Sequence, residues 1–273
     1  MSVVDEVKQY YNENCSKEWE RLENHPFEFI FTTYMMNQHI KAGDRILDIG
    51  GGPGRYSIYY AKRGCDVTLV DLSEENINLA REKANEENVN IAMYAENCLN
   101  LDAMPLGQFD HVFLMGPLYH LTDIEDRKKA VQLAIQKLKP NGILYCSFIL
   151  SFAGVLYDLK NGPGFLPQDL QNEFTRKLID SIVSGNDYVG PAFTSVCFIN
   201  QRQIEPFMAQ FPLKKLHLFG QEGILALNEH QVKTFPKEEY DLWIETAKKF
   251  LELPEFLAYS EHAMYIGEKI RDE

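Results

Sequence analysis

Long apolar runs are missing from this sequence. The most apolar stretch, Gly142 to Tyr157, holds Ser147, Ser151 and two glycines, and is shorter than the ~20 residues that span a bilayer. The opening MSVVDEVKQYY turns acidic at once, without the basic and then apolar pattern of a secretory signal. Cysteine is sparse and unpatterned. The five cysteines, Cys15, Cys65, Cys98, Cys146 and Cys197, are odd in number and widely spaced. They show no Cys-x-x-Cys pair and no Cys/His ligand spacing, so a zinc-site signal is absent. Unpaired cysteines in apolar runs suit a reducing compartment. Basic charge is also short: 27 Lys and Arg stand against 40 Asp and Glu, a formal charge of −13. Such a chain repels phosphate polymers at long range. The pairs Lys128-Lys129, Lys214-Lys215 and Lys248-Lys249 are too scattered to reverse that. The expectation is a cytoplasmic protein with no membrane or nucleic-acid partner and no required metal.

What is present is ordinary globular composition, 45% apolar and 25% charged over 273 residues. That is enough chain to bury a core without disulfides or metals. Val4 to Leu22 mixes apolar and charged residues without Gly or Pro and reads as an amphipathic helix. His25-Pro26 breaks it, and Phe27 to Ile40 reads as a second helix. A strand–helix alternation follows. Strands are expected at Arg45–Ile49, Asp66–Val70, Asn90–Ala95, His111–Met115 and Ile143–Ile149, with helices at Arg55–Arg63, Ser73–Asn88 and Arg127–Leu138. Ser73 is placed to cap its helix, with Glu74 and Glu75 at the positive end of the dipole. This alternation predicts a doubly wound α/β fold, a mostly parallel sheet with helices on both faces and ligands at the carboxyl ends of the strands.

After Ser151 the pattern changes. Residues 151–199 carry loop signals at Asn161-Gly162-Pro163-Gly164, one helix over Gln168–Val183, and the aromatics Phe152, Tyr157, Phe165, Phe174, Tyr188 and Phe193. They read as a lid inserted into a single domain. Residues 1–40 then form an N-terminal helical part, 41–150 the binding core, and 200–273 the C-terminal part. In that last part Gln203–Gln210 and Lys237–Leu251 read as helices, Leu213–Phe219 and Ala263–Ile266 as strands.

The first strand runs into Asp48-Ile49-Gly50-Gly51-Gly52-Pro53-Gly54 and then a helix. Glycines at a strand-to-helix turn let the backbone bend sharply and a ligand approach closely. The next strand ends in Asp71, an acid placed to accept hydrogen bonds from two ribose hydroxyls. A dinucleotide needs Gly-x-Gly-x-x-Gly, with its pyrophosphate on the helix N-terminus. Counted from Gly50 the last position is Arg55, and from Gly52 it is Ser57, so the third glycine is lacking. S-adenosylmethionine has no phosphate and needs none. Its ammonium needs acceptors, which carbonyls of the turn supply, with Asp48 orienting the turn or reaching the ammonium through water.

Asp48, Gly50, Gly52 and Gly54 match Asp-x-Gly-x-Gly-x-Gly, Asp71 stands in VTLVDLS, and Leu138-Lys139-Pro140-Asn141-Gly142 precedes the fifth strand. In these motifs residues 40–150 resemble the class I S-adenosylmethionine-dependent methyltransferases, and the strings GGGPGRYS and GPLYHL resemble a bacterial branch of small enzymes. The resemblance implies a Rossmann-like fold with a seven-strand sheet, S-adenosylmethionine as cofactor, and methyl transfer to O, N or C of a small molecule. It implies that Gly50, Gly51, Gly52 and Gly54 cradle the cofactor, that Asp71 and Leu72 hold its ribose, and that Met115 and Gly116 lie beside its methionine part. Where the family usually has an acid and a small residue at the adenine, this chain has Asn97 and Cys98. An Asn carbonyl and the Cys98 amide can still make those contacts.

The resemblance also implies that residues 1–40 fold over the cofactor, that 200–273 complete the sheet, and that Tyr11, on the N-terminal helix, covers the methionine end, where an aromatic face is favourable beside a sulfonium; plain core packing is the alternative for Tyr11. His120, with an unperturbed pKa of roughly 6.5, is the candidate general base, and Tyr119 beside it a second catalytic candidate or a pocket wall. His120 also reads as a structural partner of the Thr122-Asp123 turn. His25 and Glu28 read as a turn residue and a solvated acid. The aromatic lid reads either as a wall for an apolar or planar acceptor or as a satellite core. A protein or RNA acceptor, a nicotinamide-dependent oxidoreductase and a non-catalytic cofactor-binding module remain open.

Overall fold

The computed structural model describes residues 2–162 and 172–270. Pro163, Gly164, Phe165 and the start of the helix expected at Gln168 lie outside the described residues. Two helices come first, α1 (Val3–Asn24) and α2 (Pro26–Met36), separated at His25 as the proline requires. The alternating core follows as β1 (Arg45–Ile49), α3 (Arg55–Lys62), β2 (Asp66–Asp71), α4 (Glu74–Glu86), β3 (Ala92–Ala95), β4 (Phe109–Leu114), α5 (Ile124–Gln136) and β5 (Leu138–Ile149). Ser73 caps α4, its side chain accepting from the Asn76 N–H. Asp123 caps α5 through the Glu125 N–H.

Next come α6 (Ala153–Asn161), α7 (Glu173–Ser184), β6 (Tyr188–Pro191), β7 (Ser195–Phe198) and α8 (Gln201–Met208). The chain closes with β8 (Leu213–Gly220), the short α9 (Glu229–Val232), α10 (Lys237–Lys248) and β9 (His262–Lys269). The main sheet has seven strands in the order β3-β2-β1-β4-β5-β9-β8. The pairs among β1 to β5 are parallel, and β9 runs antiparallel to both β5 and β8. The order reverses between β1 and β4, which opens a crevice at their carboxyl ends.

Side chains alternate across the strands and so build two cores. Leu47, Ile49, Val112 and Leu114 pack with Val131 and Ala134 of α5 and Phe207 of α8. On the other face Ile46, Phe113 and Tyr145 pack with Phe27 and Phe31 of α2 and Tyr60 of α3. Phe113 is fully buried, 5.5 Å from the Tyr60 ring and 5.2 Å from Tyr145.

The insertion differs from its expected form. It contains α6 and an antiparallel β6–β7 pair, where the sequence reads as loop around one helix. Leu150 and Ile199 bridge the pair to the main sheet. Phe174, Tyr188 and Phe198 stack ring to ring beside Leu178 and Val196 as a satellite core. Tyr157 is 58% exposed. Among the described residues, none of the insertion's aromatics lines the crevice. The aromatic wall expected for an acceptor is therefore a packing core, and a four-residue strand such as Tyr188–Pro191 becomes a strand only through its distant partner. Among the described residues no helix is long and apolar enough to cross a membrane.

Truncating the central aromatic tests the core. Phe113→Ala should cost about 3–5 kcal/mol of stability, read as a lower urea midpoint. A midpoint shift worth less than about 1 kcal/mol would show that the two-faced core is not packed as described.

Candidate active site

The crevice is walled on one side by the turns that end β1, β2 and β4, and on the other by α1. Gly50, Gly52 and Gly54 in the first turn take positive φ of 73°, 56° and 85°. A Cβ on Gly51 would lie 2.4 Å from Leu69 Cδ1 and 2.5 Å from Asp48 Oδ2, so only hydrogen fits there. At Gly52 the space is open, the nearest atom to an added Cβ being Asn76 Nδ2 at 3.9 Å, and backbone conformation is the constraint.

Asp71 ties this turn to β2. Its Oδ2 accepts the Gly52 N–H at 2.8 Å, and its Oδ1 accepts the Ser73 N–H at 2.9 Å and Asn76 Nδ2 at 3.1 Å. Burial raises its pKa, and these three donors oppose the rise. A carboxylate offers about four lone-pair positions, so capacity for a further donor remains. Asp48 lies under the turn, 1% exposed. Ser57 Oγ donates to its Oδ2 at 2.7 Å, while Oδ1 has no partner among the described residues. Burial pushes the Asp48 carboxyl up to about 7, against the Ser57 hydrogen bond.

Leu72, Asn97, Cys98, Met115 and Gly116 all line the same crevice, with Glu96, which the sequence did not single out. Asn97 Oδ1 accepts the Leu99 N–H at 2.9 Å and caps the short turn of helix at Cys98–Ala103. The side-chain oxygen expected at an adenine is thus already a cap. Gly116 packs against the first turn: a Cβ there would lie 2.8 Å from the Gly50 carbonyl oxygen.

α1 is bent at Asn14, whose φ of −124° and ψ of 15° are not helical. The bend lets Val7 and Tyr11 from one half and Glu18 and Arg21 from the other line the crevice. Tyr11 Oη lies 2.8 Å from His120 Nε2, and His120 Nδ1 lies 3.0 Å from Thr194 Oγ1. Burial pushes the His120 pKa down to about 4. A neutral ring fits the chain: Tyr11 donates to Nε2, Nδ1–H donates to Thr194, and Thr194 donates to the Ser195 carbonyl at 3.2 Å. Both ring nitrogens of the expected base are therefore occupied. Ser195 in turn donates through N–H and Oγ to Glu6, at 3.0 and 2.7 Å, so β7 braces α1.

Residues 46–142 match the family described as Methyltransferase domain. A "Ubiquinone biosynthesis O-methyltransferase" of Xanthomonas oryzae pv. oryzae is 34% identical over 106 residues, which are 39% of this chain and 43% of that protein. The match thus spans less than half of the curated relative. Two solved structures share the fold. Magnesium protoporphyrin IX methyltransferase from Synechocystis PCC 6803 superposes with a TM-score of 0.60 at 14% identity, over 98% of this chain and 100% of that one. The 1,6-didemethyltoxoflavin-N1-methyltransferase of Burkholderia thailandensis gives 0.58 at 14% identity, over 98% and 87%. The seven-strand, mostly parallel sheet matches the fold of these two structures.

Beyond the glycine turn, this crevice has a charged end that the sequence hid. Glu18 accepts from Arg21 at 2.6 and 2.9 Å. Glu28, expected in solvent, is 8% exposed; it accepts the Tyr56 hydroxyl at 3.1 Å and lies 3.8 Å from Arg21 Nη1. His25 is no simple turn residue either, for its Nδ1 lies 2.6 Å from the buried Glu229. His262 lines the crevice from β9, and its Nδ1 lies 2.6 Å from Glu222 Oε1. Glu28, Glu222 and His262 each bring one atom within 4.8 Å of the others. The His262 Nδ1–Glu222 hydrogen bond already engages one side of this group and leaves Nε2 as the free ring nitrogen.

Acid stability tests the buried His120. Its folded pKa of about 4 lies below the ordinary value of roughly 6.5. The unfolded chain therefore binds the extra proton between these values, and stability falls as pH drops from about 6.5 to about 4. The wild-type loss over that window should exceed the His120→Gln loss by up to about 3 kcal/mol. Parallel urea melts with equal pH dependence would contradict the buried neutral ring.

Proposed function

We propose that this protein transfers a methyl group from S-adenosylmethionine to a nucleophilic O, N or C atom of a small molecule. One observation carries the reading: the buried Asp48 Oδ1, without a partner, under a glycine turn whose Gly52 faces open space. Burial raises this carboxyl to about 7, and a cation beside it would favour its charged form. The ligand's ammonium is the cation that fits beside it, with turn carbonyls as further acceptors. Asp71 and Leu72 would hold the ribose, Asn97 and Cys98 the adenine through backbone groups, and Gly50, Met115 and Gly116 the methionine part. Gly51 and Gly54 keep the turn compact, and Tyr11 covers the sulfur end from α1.

The sulfonium supplies an activated methyl, so the chain's own task is alignment and exclusion of water. His120 serves that task as a tether, joining Tyr11 on α1 to Thr194, and Tyr119 as a wall whose hydroxyl burial keeps protonated. The relatives' printed small-molecule acceptors support a small acceptor here. All five cysteines are free, which supports a reducing, cytoplasmic setting. We read the chain as one domain, the insertion bracing α1.

Calorimetry with S-adenosylhomocysteine tests the placement. Asp71→Ala removes charge-assisted bonds worth about 1.5–3 kcal/mol each and should lower affinity at least about tenfold. Unchanged affinity would take Asp71 out of the site. Labelled S-adenosylmethionine incubated with the small-molecule fraction of a cell extract should give a labelled small product. Label found in protein or RNA alone would contradict the small-acceptor reading.

A further inference from the structure

We propose that His262, held from behind by Glu222, is the residue that takes the proton from the methyl acceptor. The inference rests on the methyl-transfer reading above and supplies the base that His120 does not provide. His262 lines the crevice, whereas Glu222 does not. Glu222 is 6% exposed and grips the histidine twice, Oε1 at 2.6 Å from the ring Nδ1 and Oε2 accepting the His262 backbone N–H at 3.0 Å. With Nδ1 committed, Nε2 is the nitrogen left for the crevice. The imidazole is thus fixed in tautomer and orientation by a buried carboxylate, the arrangement that makes a histidine an effective base.

Neighbouring groups define this end as the acceptor end. Glu28 comes from α2, Arg21 and Glu18 from α1, Tyr119 from the turn after β4, and Ser147 from β5, all lining the crevice. Ser147 and Gln221 are hydrogen-bonded to each other, and Gln221 donates onward to Thr32 at 3.0 Å. An acceptor bearing polar or charged substituents fits these walls better than the plain aromatic one that the insertion suggested. In the step itself the acceptor's X–H proton passes to His262 Nε2. X bonds to the methyl carbon as the carbon–sulfur bond breaks, and that electron pair stays on sulfur. The imidazolium, stabilised by Glu222, then gives its proton to water.

The resting charge state sets the pH dependence. Burial alone would lower the His262 pKa; Glu222 and, behind it, Glu28 more than offset this, while Arg21 opposes them, and the value rises to about 9. Only a small fraction of the enzyme is then the free base at neutral pH. Turnover per bound acceptor should climb with pH, reach half its plateau near 9 and level off above it, and Glu222→Gln should move that limb towards the ordinary histidine range.

The test pairs two measurements on the full chain. Histidine-labelled protein is titrated by NMR, saturated with S-adenosylhomocysteine or with fresh S-adenosylmethionine. The signal lost in His262→Gln should titrate near 9, fall in Glu222→Gln, and titrate at least about half a pH unit lower beside the charged sulfonium than beside the neutral product. A His262 pKa indifferent to Glu222 and to the ligand's charge would overturn the proposal. In the labelled-extract assay, His262→Gln should lose at least about a hundredfold in methyl transfer with S-adenosylhomocysteine affinity within about threefold of wild type. Retained transfer with an unchanged pH limb would overturn it, as would loss of cofactor affinity, which would place His262 in the cofactor site. A wild-type chain that binds no S-adenosylhomocysteine would instead overturn the methyl-transfer reading itself.

Discussion

Asp71 Oδ2 accepts the Gly52 N–H at 2.8 Å while Asp48 fills the space under Gly51, and the turn between β1 and α3 is fixed between them. The two carboxylates come from adjacent parallel strands, so the sheet register sets their separation: Asp48 pairs with Leu69, two residues before Asp71. Everything else in the crevice is placed against this turn. Gly116 of the β4 turn touches the Gly50 carbonyl, and Pro117 packs on Gly50 itself. Burying two acids this close disfavours both charges. Asp71 is compensated by three donors, and Asp48 by Ser57 alone. The imbalance between them is the strongest physical pointer to a cation-bearing ligand.

The opposite wall depends on α1, which is held from outside the sheet. Ser73 Oγ donates to Asn12 at 2.7 Å, Lys8 pairs with Glu74 at 3.0 Å, and Ser195 donates to Glu6. These anchors come from α4 and the β6–β7 pair, and all three grip α1 before the bend at Asn14. The insertion thus acts on the site at one remove: it holds the helix that forms the wall. The Tyr11–His120–Thr194 chain runs along the same path and joins the wall, the floor and the brace. A surface ion pair such as Lys8–Glu74 contributes little, so the buried part of this path is what matters.

Much of the fold could be read from local pattern. Residues 45–49 form a short apolar run bounded by Gly43-Asp44 and the glycine turn, so β1 falls where the sequence puts it. Gly50, Gly52, Asp71 and the residues after β3 and β4 are brought together as expected, because crossover connections leave little choice of topology. The misses were non-local. β6 and β7 are too short to declare themselves, and β5 starts early because it continues through Lys139-Pro140-Asn141-Gly142, with Asn141 at a φ of 61°. Glu28 looked like a helix-start acid in solvent; its burial comes from Tyr56, Arg21 and the β9 end, none of them near it along the chain except Arg21. His262 and Glu222 are forty residues apart and meet only through β8 and β9 pairing.

The measurement that bears most directly on the whole reading is calorimetric titration of the purified chain with S-adenosylhomocysteine and, separately, with a nicotinamide dinucleotide. The glycine turn lacks a third glycine for a pyrophosphate, and among the described residues Asp48 Oδ1 has no hydrogen-bond partner. The expected result is saturable binding of one S-adenosylhomocysteine per chain and no heat from the dinucleotide. Binding of the dinucleotide alone, or of neither, would contradict the assignment of this crevice.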